Sequence, residues 1–525
     1  MTALKVFASS RAVVTNADDT LVLTPATIVV SPVTGKIQSV YTELRPASDF
    51  PGADYTDYSP RLLLPGLVDA HVHLNDPGRA EWEGFYTGTR AAASGGVTTV
   101  IDMPLNSIPP TTTVAGLQRK LEASQGQLWV DVGFYGGIIP GNADQLLPLV
   151  DAGVRGFKGF MIESGVDEFP AVSSTDIQLA MQTLKDAKTV LMFHAEMIPP
   201  ISDSVGDAVL HADPPLAPHG PLDAYSTFLE SRPPSFETYA VTEVIALAAQ
   251  APQLPVHIVH VSATQVLPLL RRARAAGINI SAETCFHYLG LAAEAIDDGD
   301  TRHKCCPPIR EQTNQHGLWA ELARGDDSCL RTIVSDHSPC TPELKLLPDH
   351  LDVCAPTVHH SDSGVDVRGP LDMAAAAEEE AARAKTAQGR GDFFAAWGGI
   401  SSVGLGLPIL LTGIKEGKAP LTIVDVVRYC AQATARQVGL AHVKGALRAG
   451  MDADICVLDD AEAWTMTVGD MKWKNKCSPW EGKEFTGRVK ETWLRGRKVY
   501  VHGEYNGGFI EGEPRGQPLL EKRTV

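Results

Sequence analysis

The run LVDAHVHL places His71 and His73 two residues apart at the end of an apolar stretch that reads as a strand. Side chains at i and i+2 of a strand share a face. Two imidazoles about 6–7 Å apart along the backbone therefore converge on one side, where a single metal ion is within reach of both. Other apolar runs are broken in the same way. Lys158 interrupts GFKGFM, His194 ends LMFHAE, His260 ends HIVHVS and Asp336 ends TIVSDH. A charge in such a run is costly to bury unless it is used. One histidine alone reads as a satisfied core residue. Metal-competent groups closing five separate runs read instead as one metal centre built from His71, His73, Lys158, His194, His260 and Asp336.

Nearby histidines have to be sorted from these six. His257 precedes His260 by three residues, so on a strand it faces the other way, and His337 directly follows Asp336. Both read as structural or supporting residues. His287, in CFHYL, stays open.

The elements that would carry these residues alternate. Eight short apolar runs, at 67–73, 97–103, 128–136, 154–160, 189–195, 255–262, 278–284 and 331–336, are separated mostly by helical patterns such as FYTGTRAAASG and ETYAVTEVIALAAQ. Eight βα units over residues 61–440 predict a (β/α)8 barrel, whose active sites lie at the C-terminal ends of the strands. A doubly wound open sheet is the alternative, but the glycine-rich phosphate loop it favours is missing after the first strand. Residues 1–60 and 441–525 read as strands and turns, which predicts one composite, sandwich-like β domain built from both ends of the chain. Residues 341–392, with the low-complexity DMAAAAEEEAARAKTAQG, read as a surface insertion after the eighth strand, and His359 and His360 within it as a solvated pair.

Composition excludes several classes. Forty-five Lys and Arg against 63 Asp and Glu give a net charge of −18, opposite in sign to a nucleic-acid or anionic-membrane binder. No apolar run is long enough for a transmembrane helix, and neither a secretory signal nor a targeting tripeptide is legible. Nine Cys without a C-x-x-C pair fit buried thiols of a reducing, cytoplasmic setting.

The motifs PGLVDAHVHL, the strand-end Lys158 and the later His194, His260 and Asp336 resemble the cyclic-amidohydrolase branch of the amidohydrolase superfamily. That branch holds dihydroorotases, hydantoinases, dihydropyrimidinases and allantoinases. The run HVHLNDPGRAEWEGFYTGTRAAASGGVTTVIDMPLNSIPPTT, with KGFMIESGVDEFP, SDHSPCTPELK and NKCSPWEGKEFTGRV, is most similar to allantoinases. The resemblance covers nearly the whole chain outside the insertion.

It implies a binuclear centre. His71, His73 and Asp336 would hold the buried ion, His194 and His260 the exposed one, and Lys158 would bridge them as a carbamate formed with CO2. Zinc is the expected ion, and cobalt, manganese and nickel suit the same donors. A hydroxide shared by the two ions would attack the cyclic amide, with Asp336 as general base and then acid. The resemblance also implies a homotetramer.

Charge decides among substrates. Dihydroorotases grip a carboxylate with Arg two residues after H-x-H, where this chain has Asn75, and they follow the second-strand Met-Pro with Asn, where Leu105 precedes Asn106. Asn75 and Asn106 are therefore expected to contact a neutral small molecule, allantoin. An Arg facing such a substrate would be an unpaired buried charge. The alternatives are a hydantoinase or dihydropyrimidinase, a dihydroorotase, or a structural relative without activity, the last opposed by the complete donor set. Phe286 departs from the Pro that relatives often carry, which leaves the loop shape there open.

Overall fold

Parallel strands covered on both faces carry near-continuous apolar side chains, and two of the eight runs show this plainly. Leu67–Val72 and Val97–Asp102 are buried at every residue. The computed structural model describes residues 3–199, 218–348, 350–351, 389–504, 506–510 and 514–524. In it all eight predicted runs form strands of one barrel. Leu67–Val72, Val97–Asp102 and Asp131–Phe134 make a three-stranded parallel arc. Gly136–Gly137, Phe157–Phe160, Leu191–His194, Val256–Ile258, Ile280–Cys285 and Leu330–Val334 make a six-stranded one. The third predicted run serves both arcs, with Tyr135 at the join. The other seam closes by a parallel bridge between Val72 and His337, where the His73 N–H donates to the His337 carbonyl at 2.8 Å.

Helices follow the strands, the first at Phe85–Ser94. Capping sets their starts. Ser173 and Asp176 form a reciprocal capping box before Ser174–Leu184, and Thr113 accepts from the Gly116 N–H at the head of Val114–Ser124. Pro234 opens Pro234–Ala248, where a missing N–H costs nothing.

Strands from both chain ends share one sheet. Its order is Arg497–Val501, Glu484–Leu494, Ile455–Thr465, Leu62–Pro65, Lys5–Thr15, Leu21–Val30 and Ile37–Tyr41, with Asp54–Asp57 also paired to Lys5–Thr15. A second apolar core unites Phe7, Ile28 and Leu63 with Leu447, Ile455 and Trp493. Residues 341–392 are described at their ends only, as a single turn at Pro342–Lys345 and a Gly391 N–H donating to Leu346 at 2.6 Å. His359, His360 and the alanine–glutamate run lie outside the described residues.

A buried ion cluster joins this sheet to the barrel. Lys444 Nζ lies 2.6 Å from Asp131 at the start of the third strand, 2.7 Å from Asp454 and 2.9 Å from Asp452, and Arg495 also pairs with Asp131. Breaking such a pair leaves uncompensated buried charge. Lys444→Met should cost about 3–5 kcal/mol, read as a fall in the urea midpoint. An unchanged midpoint would remove the cluster from the account of stability.

Candidate metal centre and active site

The strand ends deliver the six expected donors to one place. His71, His73, Lys158, His194, His260 and Asp336 all line one cavity of about 470 Å3 at the barrel mouth. His71 Nε2 is 3.1 Å and His73 Nε2 3.5 Å from Asp336 Oδ1. Ring centroids of His71 and His260 lie 5.6 Å apart, and those of His194 and His260 4.6 Å. Donor atoms of His71, His73 and Asp336 fall within 4.8 Å of one another.

Backbone strain helps to aim them. Among the seven described non-glycine residues with positive φ are Asn75 (63°), Asn106 (69°), His260 (38°) and Asp336 (44°). Left-handed backbone is uncommon outside glycine and collects at functional sites. It also corrects the three-residue argument for His257. Its strand stops at Ile258, earlier than predicted, and the turn at His260 breaks the alternation. Both histidines therefore point inward, in successive layers.

Supporting carboxylates set which ring nitrogen is free. His71 Nδ1 is 2.6 Å from Glu283 Oε1, and Glu283 Oε2 is 3.0 Å from His257 Nε2. A proton on His71 Nδ1 leaves Nε2 as a lone pair. His194 Nε2 is 2.7 Å from Glu196, which Arg232 also holds at 2.9 Å, so His194 keeps Nδ1 for a metal. Burial works against both carboxylates. The imidazoles of His71 and His257 outweigh it and hold Glu283 at about 2. Arg232 and His194 do the same for Glu196, also at about 2.

The donors themselves are poised for metal. Burial pushes His73 down to about 4 and His260 well below its usual value, so both imidazoles stay neutral. Asp336 is held well below the usual carboxylate range, because His71, His73 and His260 outweigh its burial. Burial lowers the Lys158 ammonium to about 8. His71 Nε2, His260 Nδ1 and Lys158 Nζ are buried without a hydrogen-bond partner. Three orphaned nitrogens around one carboxylate fit a metal centre, since buried polar atoms otherwise find partners.

The remaining residues sort as follows. Asn106 lines the cavity, its Nδ2 3.4 Å from His73 Nδ1. Asn75 is buried behind the wall, donating to the Pro339 carbonyl at 3.3 Å, and does not line the cavity. His337 Nδ1 accepts the Ser402 N–H at 3.2 Å, away from the donors. His287 is buried near Asp336 with both ring nitrogens unpartnered. Phe286 packs its ring against Gly406, whose absent Cβ would sit 2.3 Å from it. A further group of close carboxylates, Asp131, Asp452 and Asp454, is already occupied by Lys444.

Residues 62–314 match the amidohydrolase family. The chain is 44% identical over 506 residues to an allantoinase of Saccharomyces cerevisiae, covering 95% of this chain and 96% of that one. The chain belongs to the allantoinase family of amidohydrolases. An allantoinase of Streptomyces avermitilis is 40% identical over 94% of this chain and 95% of its own. The fold is that of an L-hydantoinase (dihydropyrimidinase) from Arthrobacter aurescens, with a TM-score of 0.76 at 24% identity over 98% of this chain and 99% of that one.

Residue reading had not picked out Glu283 or Glu196. Glu283 interrupts the strand ISAETC just as Lys158 interrupts its own, so the same signal was available. Because partners that orient a metal-ligating histidine are worth about 10–100-fold in metal affinity, Glu283→Gln should weaken metal binding by that factor. Metal titration of the variant checks this. Wild-type affinity would mean that His71 needs no carboxylate behind it.

Proposed function

We propose that this protein hydrolyses allantoin to allantoate by opening the hydantoin ring at its cyclic amide. The observation that carries the reading is a complete set of six donors around one cavity, in a chain 44% identical to an allantoinase across nearly its whole length. In this reading His71, His73 and Asp336 would hold one divalent ion and His194 and His260 a second, with Lys158, as a carbamate, supplying negative charge to both. Zinc is the ion proposed. When bound, the two ions polarise the ring carbonyl and supply a hydrolytic nucleophile from water at neutral pH.

The chain's own residues do the rest. Asp336, ionised at neutral pH, accepts the proton released by the attacking water and returns it to the departing ring nitrogen. Ser338 Oγ donates to Asp336 Oδ1 at 2.9 Å and fixes its orientation. The Asn106 amide, on the cavity wall, orients the substrate, and Asn75 supports the same wall from behind through Pro339.

The proposal extends to setting and assembly. A cytoplasmic, reducing location is supported by the burial of seven of the eight described cysteines, none of the eight in a disulfide. None of the described helices is long and apolar enough to cross a membrane. A homotetramer is proposed from the resemblance to the branch.

Turnover of allantoin, hydantoin, dihydrouracil and dihydroorotate at equal metal content tests the substrate, with allantoin expected to give the highest kcat/KM. A preference for dihydroorotate would overturn the reading. Asp336→Asn should fold and lose about 10²–10⁴ in kcat; near wild-type turnover across pH would remove Asp336 as the proton carrier.

Lys158 offers a pH test of the bridge. CO2 combines with the free amine, and below a pKa of about 8 each pH unit leaves about tenfold less of it. Reconstitution of metal-free protein with zinc at a fixed concentration of dissolved CO2 should therefore speed up from pH 6 to about 8 and then level off. A rate independent of CO2 and of pH would argue against the carbamate.

A further inference from the structure

Among the described residues, two carboxylates line the cavity. Asp336 sits among the metal donors, and Glu163 stands on the loop that follows the fourth barrel strand. The cations of the outer wall are already committed. Arg232 donates to Glu196 at 2.9 Å, and Lys304 Nζ donates to the carbonyls of Phe394 and Ala396. Arg79, behind the wall, is paired with Glu168. Glu163 makes no hydrogen bond and no ion pair among the described residues, and its side chain is exposed to the cavity.

The loop that presents Glu163 is held at several points. Ser164 Oγ donates to the Phe169 carbonyl at 2.6 Å, and the Val172 N–H donates to Phe160 at 2.7 Å. Phe169 is buried with its ring 6.0 Å from that of Phe160, which itself stacks on His194 at 4.5 Å. Glu168 holds Arg79, which also donates to the Asn106 carbonyl at 2.9 Å. Gly165, at φ +88°, takes a left-handed backbone that side chains rarely adopt, with the Trp397 ring 3.7 Å from where a Cβ would be. A carboxylate with no partner among the described residues is thus carried on a pinned loop at the cavity.

An ionised carboxylate only accepts hydrogen bonds. Its best partner is a pair of N–H groups pointing the same way, as in an amidine, a guanidine or a urea. The ureido arm of allantoin offers that pair, one N–H next to the ring and one on the terminal amide. Hydantoin and dihydrouracil lack the arm, and dihydroorotate puts a like charge into the cavity. We propose that Glu163 is the specificity-determining residue, accepting both ureido N–H groups of the substrate and disfavouring anionic rings. The inference rests on the allantoin reading given above.

The test compares wild type with Glu163→Gln and Glu163→Asp at matched metal content, on allantoin, hydantoin and dihydroorotate. A ring that is not turned over is scored by its inhibition constant. Glu163→Gln keeps the size of the side chain but turns one acceptor oxygen into a donor. Its KM for allantoin should rise about 10- to 100-fold, the range for losing a charged hydrogen-bond partner, with kcat changed far less. Hydantoin should be unaffected, dihydroorotate should bind more tightly, and Glu163→Asp should recover part of the loss. An unchanged KM for allantoin, or an equal loss on hydantoin, overturns the role of Glu163 while leaving the allantoin reading intact. A wild-type protein that hydrolyses hydantoin but not allantoin overturns that reading first, and the role of Glu163 with it.

Discussion

Everything at the barrel mouth answers to the burial of Lys158 Nζ, fully enclosed and without a hydrogen-bond partner. An ammonium in that position is a net cost to folding, and its lowered pKa states the cost directly. A sequence would not retain the residue there for packing, since an apolar side chain of similar volume fills the space better. The positions around it are arranged in the same unfinished way. His71 Nε2 and His260 Nδ1 are equally unpartnered, and Asp336 faces three imidazoles. The protein alone leaves this layer incomplete, in the way expected of a site built to receive charge from outside the chain.

The layer beneath holds the incomplete one in shape. Glu283 links His71 to His257, whose Nδ1 is in turn 2.8 Å from Ser281, and Glu196 links His194 to Arg232. Each chain runs from a donor outward through a carboxylate to a satisfied residue. Each carboxylate stays ionised, because its partners outweigh the penalty of burial. Donor orientation is thereby settled before any ion arrives, the condition under which metal sites are tight and well defined.

How far this was legible in the sequence varies with the kind of signal. The eight barrel strands could be read because parallel strands buried on both faces leave apolar runs that no surface strand shares. The donors could be read for the converse reason, that a polar residue closing such a run has no bland explanation when it recurs. Legibility failed where side-chain direction depends on backbone that is not strand. Alternation placed His257 on the wrong face because it assumed an extended chain through His260, and the left-handed turn there carries no local signature. Asn75, at the motif position that suggested a substrate contact, has a positive φ and donates its amide to the Pro339 carbonyl. Glu163 lies on a loop, where spacing says nothing about what a side chain faces.

That last distinction separates what the fold supplies from what the substrate requires. Likeness to a hydantoinase at 24% identity spans both chains almost completely, so the fold, barrel and terminal sheet alike, is shared more widely than any one substrate. Selectivity has to come from side chains that the strands do not dictate. In this cavity they sit on the loop of Glu163 to Gly165, near Phe228 and Arg232, at Lys304 to Cys306 and along Phe394 to Gly399. These segments are fastened to one another by backbone carbonyls and ion pairs, as Lys304 is to Phe394 and Arg79 to Glu168. Apart from Arg232, which holds Glu196 behind His194, residues of this wall can change without touching the donor layer. The carboxylate that the described part of this wall leaves unspent, Glu163, is the one a neutral, donor-rich substrate would need.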